Sequence, residues 1–416
     1  MKKLLMLSII ISVFGLAACD GNGSQRSKSG KVIEWRGTDR TGIYNESGLL
    51  TSWGANGPEL LWHHNGLGDG HSSPAIANGK IFVTGMTDDI GSIFVFDMNG
   101  KLLNTVEYGQ EWDRNFNGAR GTITPDGNNI FLISGLGVIY SFNQNTLELN
   151  WSKNFLEEFN ASNIVWGITE SPLIVGDKVI ATPGGEQHNV VAVNKNTGEL
   201  IWSTPGMGDQ SAYCSPLFIS DQQVPLIVQM TGHHTLGIHA ETGEMLWAHE
   251  NTNQHQVHAN TPVYSNSMIL ITSGYGRGST MLRLTNGGRG VEEVWFNELL
   301  DNRIGGMVKV GNYIYGSGDF SRSWFCVNWN TGEIMWQDGR DKQGIANGVT
   351  IANGDMLYIY TDRGDMILAR ATPEKFDIVS RFPITLGTDQ HWAHPVIYDG
   401  VLYVRHGDTI MAYKIK

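Results

Sequence analysis

Short apolar or alternating runs recur along the chain, separated by Gly, Asn and Asp turns. In the most regular stretch they read S-P-L-I-V, K-V-I-A-T, N-V-V-A-V and E-L-I-W. Runs of this length with turn residues between them predict short β-strands rather than helices. The last run belongs to a phrase that the chain repeats. Residues 196–202 read N-T-G-E-L-I-W, 241–247 read E-T-G-E-M-L-W, and 330–336 read N-T-G-E-I-M-W. Worn copies lie at 145–151, 99–103 and 286–295. In each copy Asn or Thr precedes a Gly that supplies positive φ, and the turn leads into a strand ending in a large aromatic.

The other end of each unit gives the period. Starts of the S-P-x-x-x type fall near Pro74, Pro172, Pro216, Pro262, Met307 and Pro395, with less regular starts near Ile123 and Ile351. The regular ones from Pro172 to Met307 are spaced 44, 46 and 45 residues apart. Four strands in about 40–45 residues is the size of one propeller blade. The pattern therefore predicts an all-β fold: one eight-bladed β-propeller of four-stranded antiparallel blades over residues 35–416. The last unit, from Pro395, has only three strands, and the missing fourth-strand phrase lies at the other end, as G-P-E-L-L-W over 57–62. An N-terminal strand closing the last blade would remove a free sheet edge. Six of the 13 Trp residues (Trp62, Trp151, Trp202, Trp247, Trp295, Trp336) occupy the fourth-strand position, where packing between neighbouring blades is the expected role.

The first residues break the pattern. Lys2 and Lys3 precede an apolar run from Leu4 to Leu16, then Ala17, Ala18 and Cys19. That order predicts a signal peptide over 1–18, too short to span a bilayer comfortably. The tetrad Leu16-Ala17-Ala18-Cys19 resembles a bacterial lipobox, which implies lipidation of Cys19 and a chain anchored to a membrane rather than inserted in it. Residues 19–34, Gly/Ser-rich and without periodicity, read as a flexible tether. The formal net charge is −12 and no basic cluster occurs, which argues against nucleic acid as a partner. Cys214 and Cys326 fall two blades apart, too far for a disulfide, and are expected as buried thiols.

Chemistry in a propeller gathers where the segments leading into each first strand converge on one face. Those lead-in segments supply the candidate ligand-binding residues: His71, Arg120, Trp166, Glu170, Tyr213, His258, Asn260, Arg303, Trp392 and His394. One reading makes them an aromatic, imidazole-lined pocket for a planar or anionic ligand; the other makes them caps and plugs of the channel. The pairs His255-x-x-His258 and His391-x-x-His394 have metal-ligand types, but linear spacing shows no convergence of three or four ligands, and no metal site is expected. The run at 274–278 is no dinucleotide fingerprint, since no helix follows it, and neither G-x-S-x-G nor H-E-x-x-H occurs. No catalytic residue is assigned.

The repeat phrase, the S-P lead-in strands and the eight-unit count together resemble the PQQ-like quinoprotein propeller superfamily over 35–416. The opening W-R-G-T-D-R-T-G-I from Trp35 is similar to a group of secreted bacterial PQQ-binding-like β-propeller repeat proteins. Two related families pull apart. The quinoprotein alcohol dehydrogenases hold pyrroloquinoline quinone (PQQ) and Ca²⁺ on this scaffold, with a vicinal Cys–Cys pair and large insertions that this chain lacks. The lipoprotein of the outer-membrane β-barrel assembly machinery is a lipid-anchored propeller of similar length that binds protein partners. The resemblance implies a lipid-anchored, exported cell-envelope protein, periplasmic or on the outer surface. It would be a non-catalytic scaffold for envelope protein partners, with no cofactor. The alternative is a quinone- or small-molecule-binding protein, with a PQQ-dependent dehydrogenase as its catalytic form.

Overall fold

Each predicted unit folds as a four-stranded antiparallel sheet, and eight such sheets follow one another along the chain. The computed structural model describes residues 31–339 and 344–416. Blades 1 to 7 span 75–110, 124–154, 173–205, 217–250, 263–297, 308–339 and 348–383. Blade 8 takes its inner three strands from 396–414 and its outermost strand, β1 (Glu59–Asn65), from the other end of the chain. Strand β1 runs antiparallel to the last strand, β2 (Thr409–Lys414), with Leu60 opposite Tyr413 and Trp62 opposite Ala412. The expected closure is thus present.

The outermost strand of every blade carries the same irregularity. In blade 3, Leu200 and Trp202 pair with Val193 and Ala192, and Ile201 is left over as a bulge. Leu61, Leu103, Asn150, Leu246, Val294, Met335 and Val379 occupy that place in the other blades. A bulge puts an extra residue against one partner and raises the local twist. Leu200 and Ile201 are therefore both exposed, at 44% and 40%, while Trp202 turns inward. The bulge also blunts an edge that would otherwise template pairing with another chain.

The inward Trp forms the seam between blades. Its indole N–H donates to a backbone carbonyl of the next blade's turn: Trp151 to Lys195, Trp202 to Ala240, Trp247 to Gly288, Trp295 to Trp329. Trp62 reaches Met98 and Trp336 reaches Thr372 in the same way. The ring lies on the glycine of the next turn. A Cβ on Gly243 would stand 2.6 Å from the Trp202 ring, and one on Gly332 would stand 2.7 Å from that of Trp295. These glycines also have φ of 74° and 72°, so turn geometry and seam packing demand the same residue. Packing is the role expected of the six Trp residues, and it is the role they have.

Two seams lack the indole. Blade 1 has Asn104 at that position and blade 7 has Ser380. Ser380 is covered by a strap from the N-terminal side, whose Trp53 both donates to and accepts from the Ser380 hydroxyl. Cys214 and Cys326 are free and buried. Buried apolar residues form successive clusters between neighbouring blades, such as Ile180, Ala192, Trp202, Leu236 and Ile238 between blades 3 and 4. No single central core exists.

Candidate functional site

The centre of the ring is occupied by the chain itself. Ile33 exchanges two backbone hydrogen bonds with Ile76 in the first strand of blade 1, at 2.8 and 2.9 Å. The Trp35 indole donates to Thr261 at the start of blade 5. Arg36, 2% exposed, donates to the carbonyl of Met307 at 2.8 Å, to that of Gly305 at 3.3 Å and to Nδ1 of His394. After a turn at Gly37, Arg40 donates to the carbonyls of Ser171, Pro172 and Pro216, which lie before or at blades 3 and 4. Strand β3 (Ile43–Tyr44) then runs parallel to the inner strand of blade 7, and the Tyr44 hydroxyl donates to Pro395 of blade 8. This segment hydrogen-bonds seven of the eight blades.

Three of its residues are non-glycine with positive φ: Arg36 at 57°, Asp39 at 53° and Arg40 at 57°. Left-handed backbone at such residues costs free energy and persists only where the surroundings over-determine it. The two guanidinium groups do so, because they are held mainly by carbonyl oxygens. Burial pulls the Arg36 guanidinium down to about 10. The tether expected to reach residue 34 ends sooner: Lys31 pairs with Glu46, and Ile33 is fully buried. The signal peptide (1–18) and the lipidation site Cys19 lie outside the described residues.

Above this plug, the lead-in segments do meet on one face, but they divide into two groups. His71, Trp392, Arg120, Trp166, Tyr213 and Arg303 line the mouth. The Trp392 ring sits 5.0 Å from His71 and 5.1 Å from Phe116. Arg120 lies over Trp112 and within electrostatic reach of Tyr213 and Asp389, from opposite parts of the ring. Trp166 packs on Tyr213, and its amide donates to the Tyr213 hydroxyl. Arg303 pairs with Asp319 and stands over Tyr275, which contacts His255 and Phe320.

The other four candidates are structural, which corrects the expectation that they line a pocket. His258 is fully buried. Its Nε2 donates to the Gly232 carbonyl and its Nδ1 accepts from Ser273 at 2.6 Å. Desolvation takes its pKa down to about 4, so the ring stays neutral. Asn260 spends its amide on the Asn302 carbonyl and its oxygen on the Gly306 N–H, bracing the turn beside Arg36. His394 accepts from Arg36 and packs against Trp35, with ring centroids 4.4 Å apart and the planes tilted. Glu170 is 1% exposed and accepts from the Thr182 amide; desolvation raises its pKa to about 8, against the pull of Thr182 and Arg40. All four belong to blade entrances that clasp the plug or neighbouring strands.

Within the mouth, His71 is the least settled side chain. It is 7% exposed and stands 3.8 Å from Asp389. Neither ring nitrogen makes a well-formed hydrogen bond, although the backbone of Phe116 and Asn117 lies within reach. Burial, with Arg120 and Arg405 nearby, lowers its pKa to about 3, so it does not take up a proton at neutral pH. Among the described residues no three His, Cys, Asp or Glu side chains converge as metal ligands. Arg36 and Arg40 were not foreseen as site residues. The signal for them was present: a Gly-punctuated stretch holding two Arg, placed before the first blade and lacking any strand period.

A family model described as outer membrane protein assembly factor BamB matches residues 46–208 and 135–371, most of the chain. Among curated proteins, none matches the sequence. Among solved structures, BamB from Moraxella catarrhalis is similar with a TM-score of 0.61 at 14% identity, over 86% of this chain and 98% of that one. The quinohemoprotein alcohol dehydrogenase from Comamonas testosteroni is similar with a TM-score of 0.63 at 12% identity, over 92% of this chain and 80% of that one. At such identities the likeness concerns the fold. The family match goes further: the chain belongs to the BamB-like PQQ propeller family.

Proposed function

We propose that this member of the BamB-like family is a lipid-anchored cell-envelope scaffold that binds protein partners without catalysis, through the face where the lead-in segments meet. One observation carries the reading. The axis is filled by the chain's own segment, while the rim around it exposes large apolar groups beside arginines. Phe116 is 45% exposed, Val165 71%, Leu299 44% and Phe320 62%. Half-buried Trp166, Tyr275 and Trp392 and the arginines Arg114 and Arg303 stand among them. Aromatic and arginine side chains at the centre of a patch are the composition of binding hot spots. The family match supports an envelope setting, and lipidation at Cys19 would supply the tether.

The dehydrogenase neighbour raises the question of PQQ with Ca²⁺, and the residues do not fit that pair. No acidic set converges as a cation site among the described residues. The two described cysteines lie in separate blades, buried. The scaffold alone does not choose between roles, because the same ring carries several. A second reading, a small planar ligand in the mouth, is favoured by the His71 imidazole packed 5.0 Å from the Trp392 ring and beside Asp389.

The test immobilises the signal-less chain and passes envelope extract over it, comparing wild type with a Phe116→Asp/Phe320→Asp variant. The expected result is a retained protein that the variant loses at unchanged melting temperature. Equal retention by both removes this face from the proposal. A saturable melting shift with PQQ and Ca²⁺ would replace the scaffold by the ligand reading, since a ligand that binds only the folded state raises its stability.

A further inference from the structure

We propose that the inner ends of blades 3, 4 and 6 form a guanidinium-binding receptor, and that residues 33–44 are its resident, separable ligand. The acceptors are unusual for buried arginine. Arg40 meets the carbonyls of Ser171 at 3.1 Å, Pro172 at 2.6 Å and Pro216 at 2.9 Å. Arg36 meets those of Gly305 and Met307, and its other partners are the neutral His394 ring and its own segment's Thr41. Glu34, carried on the same segment, is the carboxylate at Arg40, at 3.3 Å. The receptor therefore contributes aligned backbone dipoles rather than formal charge.

The cradle is shaped to the fork of the guanidinium. A Cβ on Gly306 would stand 2.2 Å from Arg36 Nη1, and Gly306 has φ of 64°. Only glycine satisfies both the backbone and the close approach there. Asn260 fixes the same turn by accepting from the Gly306 amide at 2.8 Å. The planar Nη1–Nη2 fork suits converging carbonyls in a way that a lysine ammonium does not, while the buried Nε of each arginine makes no hydrogen bond. The occupant is a single contiguous stretch of chain. It is continuous with the strap at 45–58, and it adds only the two-residue strand β3 to a sheet that is already four-stranded without it.

The test uses the full chain with a protease site placed at residues 54–56, which are all exposed. After cutting, the N-terminal fragment should stay with the ring through size-exclusion chromatography. A fluorescent synthetic peptide of residues 31–55 should exchange into its place. The same peptide with Arg36→Met and Arg40→Met should compete at least about tenfold less well, as loss of several charge-assisted bonds requires. A peptide with both arginines changed to Lys should also compete poorly. Equal competition by the Met peptide would assign the fit to apolar packing and overturn the proposal. Equal competition by the Lys peptide would overturn the guanidinium specificity. Unfolding of the ring on cutting, followed by circular dichroism, would overturn separability.

Discussion

The circumference and the axis of this ring are built on opposite rules. At the circumference the same contact is made six times, each between a Trp and the turn of the next blade. Trp202, for example, lies on Gly243 and donates to Ala240, about forty residues ahead. At the axis nothing repeats. Arg36 and Arg40 reach carbonyls far along the chain, in blades that bear no sequence relation to the reaching segment. A repeated seam needs only neighbours, so its energetics sum along the chain as in other repeat architectures. An axial plug needs all its partners in place at once.

That contrast can be broken by substitution. Arg40→Ala should cost the most, roughly 5 kcal/mol, because it orphans the buried carbonyls of Ser171 and Pro216 at about 1–3 kcal/mol each and takes one of two donors from that of Pro172, which keeps the Thr124 hydroxyl. Urea titration reads it as a shift in midpoint. Arg36→Ala added to it should cost less than the sum, because the two share one segment. Trp202→Ala should cost roughly 3–5 kcal/mol as a large-to-small change at a buried ring. Combined with Trp336→Ala, three blades away, it should add to within about 0.5 kcal/mol. Additive arginines or strongly coupled tryptophans would erase the distinction.

A pH series sharpens it. Folding raises the Glu170 carboxyl from its ordinary 4.5 to about 8, chiefly by desolvation. Between those values the folded state keeps a proton that the unfolded chain has released. Stability therefore falls as pH rises through that window, by up to about 1.4 kcal/mol per pH unit. Glu170→Gln should flatten the fall in melting temperature, whereas no Trp seam variant should change its slope. The smallest effect belongs to Trp247→Phe, which keeps the ring's bulk but loses the bond to Gly288. It should cost about 1 kcal/mol by thermal melting. A cost as large as that of the Ala variant would mean that the hydrogen bond, not the packing, holds the seam.

How much was legible follows from the same division. The blade count, the closing strand at Glu59 and the packing role of the six Trp residues could all be read, because period and turn chemistry are local. The bulge before each Trp was written in the L-I-W phrase, where two exposed residues precede an inward one, yet strict alternation hides it. Of the candidate residues, Trp166, Tyr213, Arg120, Trp392, His71 and Arg303 come together around the mouth, whereas His258, Asn260, Glu170 and His394 are held in bonds to backbone and side chains of other segments. A histidine in a lead-in segment looks the same in both cases. Whether Ser273 and Gly232 flank its nitrogens is decided by packing 15 and 26 residues away along the chain.

The sequence by itself determined a ring of eight like units joined end to end, because hydrophobic period, turn glycines and an aromatic in six of the eight units act between adjacent residues and adjacent blades. Only the tertiary structure decided what fills the centre. Bringing eight strand starts together gathers buried carbonyls at the axis, and two arginines from a segment outside the repeat donate to them. No local signal specifies such a meeting, since its partners become neighbours only once the ring has closed.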